Sequence, residues 1–121
     1  WIPAARPDVL RADNVDRLQA RLVLQGANIP ATAEAEARMA ARGILNVPDF
    51  VANAGGVICA SVEYHGGTHA AAFAAIEEKI AANTEAVLMA ALDRDLLPRA
   101  AADVLARERV EAAMRFRRWH A

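Results

Sequence analysis

Apolar residues follow two different rhythms along this chain. In the first half they come in short unbroken runs: Leu22-Val23-Leu24 inside Arg21 to Gln25, closed by Gly26, and Ile44-Leu45-Asn46-Val47, closed by Pro48. Runs of this length, rich in branched side chains, predict strands buried on both faces, as in a parallel sheet. Between them lie the strong helix formers Ala33 to Arg42. Thr32 stands ahead of them as a cap, Glu34 and Glu36 occupy the first turns and Gly43 follows, which predicts a helix with its charges matched to its dipole. Strand, helix and strand in direct succession form a βαβ unit, and the chain reads as α/β. Ile2-Pro3 reads as the end of one more strand, giving two to three short strands, and a polar, amphipathic segment fills Asn14 to Ala20.

From Asn53 onward the spacing becomes helical. Asn53 is expected to cap a helix over Ala54 to Tyr64, Thr68 or His69 to open one over Ala70 to Leu92, and Pro98 to stand at the first position of a helix reaching about Arg117. Phe73, Ile76, Ile80, Val87 and Leu88 recur at helical intervals and are expected to face the core or a partner. Five prolines and six glycines punctuate the chain, and after Gly67 only Pro98 remains, so the carboxyl-terminal half is helix-rich.

Composition narrows the function. Alanine makes up about a quarter of the chain and favours close-packed helices. With 121 residues the chain has room for one core and not for two large domains. Fourteen Lys and Arg against 15 Asp and Glu leave a net charge of -1, too balanced to grip nucleic acid or an anionic membrane. The apolar stretch Ala70 to Ile76 stops at Glu77-Glu78-Lys79, a solvated face, and is far short of a bilayer span. The single cysteine, Cys59, forms no internal disulfide; it reads as a small buried group, and a reducing, cytoplasmic location fits. His65 and His69 share an i, i+4 spacing, but Gly66-Gly67 breaks the helix that would align them and no third ligand follows, so no metal site is expected. Arg115, Phe116, Arg117, Arg118, Trp119 and His120 form a basic aromatic tail that reads as a helix end packed on a neighbouring surface.

Three stretches place small or polar residues where strands stop: Pro3-Ala4-Ala5, Gly26-Ala27-Asn28 and Pro48-Asp49-Phe50-Val51-Ala52-Asn53-Ala54-Gly55-Gly56. Ligands of open α/β sheets sit outside the carboxyl ends of the strands, so these stretches are expected to converge on one crevice. An asparagine offers a donor and an acceptor together, which suits a carboxamide or a ribose hydroxyl. By general turn chemistry Asn28 and Asn53 also serve as turn or cap residues, Gly55 and Gly56 as packing devices, and Pro48 and Asp49 as structural positions.

The segment QGANIPATAEAEARMAARGILNVPDFVANAGGVICASVEY resembles the Glu/Leu/Phe/Val dehydrogenase family, and most closely its glutamate dehydrogenase branch; WIPAARPDVLRADNVDRLQ resembles the family's preceding strand and helix. The Gly-Ala-Asn turn, the Pro-Asp and the Asn-Ala-Gly-Gly-Val at this spacing are far more specific than a lone glycine motif. The resemblance implies the latter part of a Rossmann-like, NAD- or NADP-binding domain, in a homo-oligomeric enzyme that oxidatively deaminates an amino acid to its 2-oxo acid and ammonia. It implies that Ala4, Ala5, Gly26, Asn28 and Asn53 line the nicotinamide and its ribose. The family's Ser-Tyr-Phe-Glu-Trp is here Ala60-Ser61-Val62-Glu63-Tyr64, which places Ala60 at a substrate-contacting serine position. A one-residue step turns a helical side chain by about 100°, so Ser61 does not replace it.

The family's phosphate-binding glycine turn and its substrate domain with catalytic lysines have no counterpart among these residues, and Lys79, the only lysine, lies in an acidic helical setting. The chain is therefore expected to be a single domain over 1–121 that is inactive by itself. A stand-alone α/β binding or interaction module without redox chemistry is the alternative reading.

Overall fold

A computed structural model describes residues 1–116 of the chain. Strands β1 (Leu22–Leu24) and β2 (Leu45–Val47) pair in parallel, with Leu22 opposite Leu45, Val23 opposite Asn46 and Leu24 opposite Val47. The ladder continues past both strand ends, Leu45 N–H donating to the Arg21 carbonyl at 3.0 Å and Gln25 N–H to that of Val47 at 3.2 Å. Successive strand amides point to opposite sides. Leu24 N–H accordingly reaches the Trp1 carbonyl at 3.0 Å and Ala27 N–H that of Pro3 at 2.8 Å, so the chain around Ile2-Pro3 lies along the other edge of β1. These bonds do not extend into a ladder, and the expected further strand is not formed among the described residues.

The crossover is helix α1 (Ala33–Ala41), opened by Thr32, whose hydroxyl accepts from Ala35 N–H at 3.2 Å. Gly43 closes it at φ +70, a left-handed conformation that suits glycine. Because strand side chains alternate between faces, the sheet builds two apolar layers. Val23 packs with Leu10, Val15, Ala35, Met39 and Ile44 on the α1 side. Leu24 and Val47 pack with Val51, Val87 and Ala102 on the other. Arg42 donates to the carbonyls of Val15 at 2.8 Å and Leu18 at 2.7 Å, tying a 3-10 turn at Val15–Arg17 to the end of α1.

Helices follow as α2 (Asp49–Ala52), α3 (Gly55–Tyr64), α4 (His69–Asp93) and α5 (Pro98–Arg115). Thr68 caps α4 by accepting from Ala71 N–H at 3.2 Å, and Pro98 stands in the first turn of α5, both in the expected roles. Asn53 does not cap α3. Pro48, fixed in extended geometry, starts the short α2 immediately, so Asn53 closes that helix at φ -101, ψ 11, its N–H donating to the Asp49 carbonyl at 2.7 Å, without the extended backbone an amino-terminal cap needs. The amino-terminal cap of α3 is Ala54, without a side-chain bond. No described helix is long and apolar enough to cross a membrane. Of the helical apolar series, Val87 is buried and Ile76, Ile80 and Leu88 are half-buried, whereas Phe73 stands 73% exposed. The basic aromatic tail beyond Phe116 lies outside the described residues.

Met39 is fully buried in the α1 layer, whereas Leu92 on α4 is 77% exposed. Met39→Ala is expected to lower the unfolding free energy by about 3 kcal/mol, through lost transfer energy and a residual cavity. Leu92→Ala is expected to change it by less than about 0.5 kcal/mol. Urea titration of both variants checks the pair.

Candidate functional site

The carboxyl ends of β1 and β2 bring together residues far apart in sequence. After β1 the chain turns through Gly26, where an added Cβ would come within 3.1 Å of both Ala4 Cβ and Ile2 Cγ2. Glycine there lets the Pro3-Ala4-Ala5 segment lie closely against the turn, and a larger residue would have to displace Ala4 or Ile2 by a few tenths of an ångström. Asn28 follows, and Asn53 Nδ2 donates to Asn28 Oδ1 at 2.9 Å and to the Gly26 carbonyl at 3.4 Å. Of the residues singled out from the sequence, Ala4, Gly26, Asn28 and Asn53 therefore meet in one place, with Ala5 beside Ala4. Ala60 lies elsewhere, exposed on α3 about two helical turns past Asn53.

The paired asparagines leave Asn28 Nδ2 and Asn53 Oδ1 without a partner among the described residues. One free amide donor beside one free carbonyl acceptor complements a carboxamide or a ribose diol. That donor set, on a turn stripped of side chain at Gly26, fits the nicotinamide end of a dinucleotide. Gly55 and Gly56 are not tightly confined: a Cβ at Gly55 would rest in ordinary contact with Ile76 at 3.6 Å, and one at Gly56 would meet nothing within 4 Å. His65 ends α3 with Nδ1 2.7 Å from the Ser61 carbonyl, and His69 opens α4. Cys59 is half-buried on α3, and Lys79 is exposed on α4.

Behind the asparagines lies a charge cluster that the sequence pattern did not reveal. Arg99 enters from the first turn of α5, and its Nε donates to Glu36 Oε1 and Oε2, both at 2.9 Å. Its Nη2 donates to Gln25 Oε1 at 3.0 Å and to Asp49 Oδ1 at 2.8 Å. Gln25 Nε2 donates to Glu36 Oε1 at 2.7 Å and to Asn46 Oδ1 at 3.0 Å. Gln25, Glu36, Asn46 and Asp49 are all buried, and Arg99 also stacks 5.6 Å from the centre of the Phe50 ring. Local signs of the cluster exist. Gln25 and Asn46 interrupt or end apolar strand runs on one sheet face, Glu36 shares a helix face with Met39, and a cation at a helix amino terminus is unfavourable unless carboxylates receive it.

The cluster reaches the Asn28 turn through Asp49, whose Oδ2 accepts from Ile29 N–H at 2.9 Å. Ile29 has φ +48, in the left-handed region that a branched side chain seldom adopts, and its carbonyl accepts from Asp8 N–H at 2.9 Å. Burial pushes the Asp49 carboxyl up, but the Ile29 N–H, the hydrogen bond and charge of Arg99 and the Phe50 N–H pull harder, so it titrates below the usual aspartate value. For Arg99, burial works against the charge and the bonds and charges of Glu36 and Asp49 outweigh it, so its pKa rises. Asp49 thus binds its proton less readily folded than unfolded. Its contribution to stability is complete above the unfolded aspartate value of about 4 and is lost as pH falls through the lower folded value. Asp49→Asn is expected to flatten the acid-side loss of stability below about pH 4. Urea titrations of both proteins across that range check this, and parallel profiles would remove Asp49 from the acid response.

Similarity to known proteins converges on one family. The family described as Glutamate/Leucine/Phenylalanine/Valine dehydrogenase matches residues 1–118. A glutamate dehydrogenase of Aeropyrum pernix is 38% identical over 129 residues, covering 98% of this chain and 31% of that protein. An NADP(+)-dependent glutamate dehydrogenase of Pyrobaculum calidifontis is 52% identical over 63 residues, covering 52% of this chain and 15% of that protein. The hetero-hexameric glutamate dehydrogenase from Thermus thermophilus superposes with a TM-score of 0.83 at 28% identity, covering 99% of this chain and 30% of that one. The chain thus spans about a third of the length of the relatives it matches end to end. With its Gly-Ala-Asn turn and Asn-Ala-Gly-Gly motif meeting at the ends of a parallel sheet, the chain belongs to the Glutamate/Leucine/Phenylalanine/Valine dehydrogenase family.

Proposed function

We propose that this chain forms the nicotinamide side of the coenzyme domain of an NAD- or NADP-dependent amino acid dehydrogenase. Residues 1–121 then make up the carboxyl-terminal part of that domain, in a longer, cytoplasmic and homo-oligomeric enzyme whose phosphate-binding half and substrate domain lie elsewhere. The reaction is oxidative deamination of an L-amino acid to a 2-oxo acid and ammonia. The observation that carries this reading is the Asn53 to Asn28 hydrogen bond at the strand ends, with one amide donor and one carbonyl acceptor left to face a ligand.

The bound coenzyme supplies the acceptor for the hydride leaving the substrate's alpha carbon. The residues of this chain bind and orient. Asn28 and Asn53 hold the carboxamide or ribose by complementary hydrogen bonds, and Ala4, Ala5 and Gly26 keep the floor small enough for a flat ring to approach. Holding one ring face toward the substrate is the chain's contribution to rate. None of these side chains moves a proton, and Lys79 on the exposed face of α4 is not assigned to catalysis, so the chain alone turns over no amino acid. At the substrate, Ala60 presents a methyl group where the resemblance places a serine, so no hydroxyl at that position receives a side-chain carboxylate. That position therefore does not mark the chain for glutamate.

Asn53→Ala in the full-length protein is expected to reduce kcat/KM by about 10- to 100-fold, the scale of a small misplacement of reacting groups. Steady-state rates of reductive amination, measured with each reduced coenzyme, check it. Unchanged kinetics would remove Asn53 from the site.

A further inference from the structure

We propose that Arg99 is a positioning residue for the nicotinamide end of the coenzyme site: through Asp49 it locks the left-handed turn at Ile29 that presents Asn28 to Asn53. The proposal rests on the reading of Asn28 and Asn53 as coenzyme contacts and adds a residue from a distant helix to it.

The chain of contacts is short. Arg99 Nη2 donates to Asp49 Oδ1 at 2.8 Å, and the other oxygen of the same carboxylate receives the Ile29 N–H at 2.9 Å. Ile29 is 59% exposed, so side-chain packing does little to hold it at φ +48. A branched residue stays in that region only where its surroundings over-determine it. Here the amide is held by Asp49 and the carbonyl by the Asp8 N–H at 2.9 Å. Asp49 in turn has one orientation because Arg99 holds it, and Arg99 has one orientation because Glu36 engages its Nε with both oxygens. A planar guanidinium fork transmits direction in a way that a lysine ammonium does not. The Ile29 N–H belongs to the peptide that joins it to Asn28, so Asp49 holds the backbone that carries Asn28, whose Oδ1 meets Asn53 Nδ2. The lowered titration of Asp49 keeps the link charged at neutral pH.

The experiment uses the full-length protein and two fluorescence-monitored binding titrations. One ligand is reduced coenzyme, NADH or NADPH. The other is ADP-ribose, or its 2′-phosphate for an NADP enzyme, which lacks the nicotinamide. Asp49→Asn, close in volume to aspartate, is expected to weaken reduced-coenzyme binding about tenfold, the scale of one charge-assisted hydrogen bond. It should leave ADP-ribose binding unchanged and accelerate hydrogen exchange at the Ile29 amide. Arg99→Lys, which keeps the charge and loses the fork, is expected to do the same and serves where Asp49→Asn fails to fold. Equal loss for both ligands would mark a general structural role and overturn the proposal, as would unchanged affinity for both. Asn28→Ala separates the two readings. If it weakens only reduced coenzyme while Asp49→Asn and Arg99→Lys do not, the positioning role fails and the asparagine site stands. If Asn28→Ala also leaves the difference between the two ligands untouched, the asparagine site itself fails.

Discussion

Burying the Glu36 and Asp49 carboxylates, with the half-buried Arg99 guanidinium as their shared partner, is the constraint around which this chain is arranged. Each buried ion loses several kcal/mol of hydration, and only good geometry with further hydrogen bonds offsets the loss. Arg99 meets that demand with Glu36 on its Nε and Gln25 and Asp49 on its Nη2, and no buried side-chain nitrogen or oxygen among the described residues lacks a partner. The excess negative charge is spread over the Gln25 amide and the Ile29 N–H, near the positive end of α5. In doing so the cluster staples β1, α1, α2 and α5 at one point. The apolar contribution of α5 to the core is thin: Ala101 and Ala102 are its buried residues. Small alanine contacts tolerate sliding, whereas a guanidinium fork fixes register.

The same economy explains the surface. Helix α3 buries none of its residues, and Val57, Tyr64 and Phe73 stand largely exposed on α3 and α4. Exposed apolar groups at this density mark a face that larger assemblies cover. The chain spans about a third of the length of the relatives it matches end to end, and its helix-rich half packs on a sheet of two described strands.

Much of the fold was readable locally. Thr32 and Thr68 act through cap bonds three residues on, Gly43 through its left-handed backbone and Pro98 through its ring at the first turn, all within one turn, so each marked its helix end where the structure has it. Asn53 misled because two local roles competed. Its type suits an amino-terminal cap, yet Pro48 begins α2 so early that Asn53 falls at the end of that helix in a non-extended conformation, and its side chain bonds Asn28. The short α2 and the turn at Val15–Arg17 escaped the pattern because three or four residues hold too little periodicity to register. The site was half legible. The motif residues could be named, while the cluster behind them could not.

The residue order by itself determined the α/β class, the longer helices and the polar strand ends, because each depends on periods and spacings of a few residues, and its motifs carried the resemblance to the family. Tertiary structure alone decided which of those residues touch. Asn28 meets Asn53 across 25 positions, and Arg99 reaches Asp49, Glu36 and Gln25 across 50, 63 and 74. Contacts at such separations exist only after the βαβ unit closes and α5 returns to the sheet. Side-chain preferences decay within a turn of backbone, whereas a buried charge finds its partners wherever the fold delivers them.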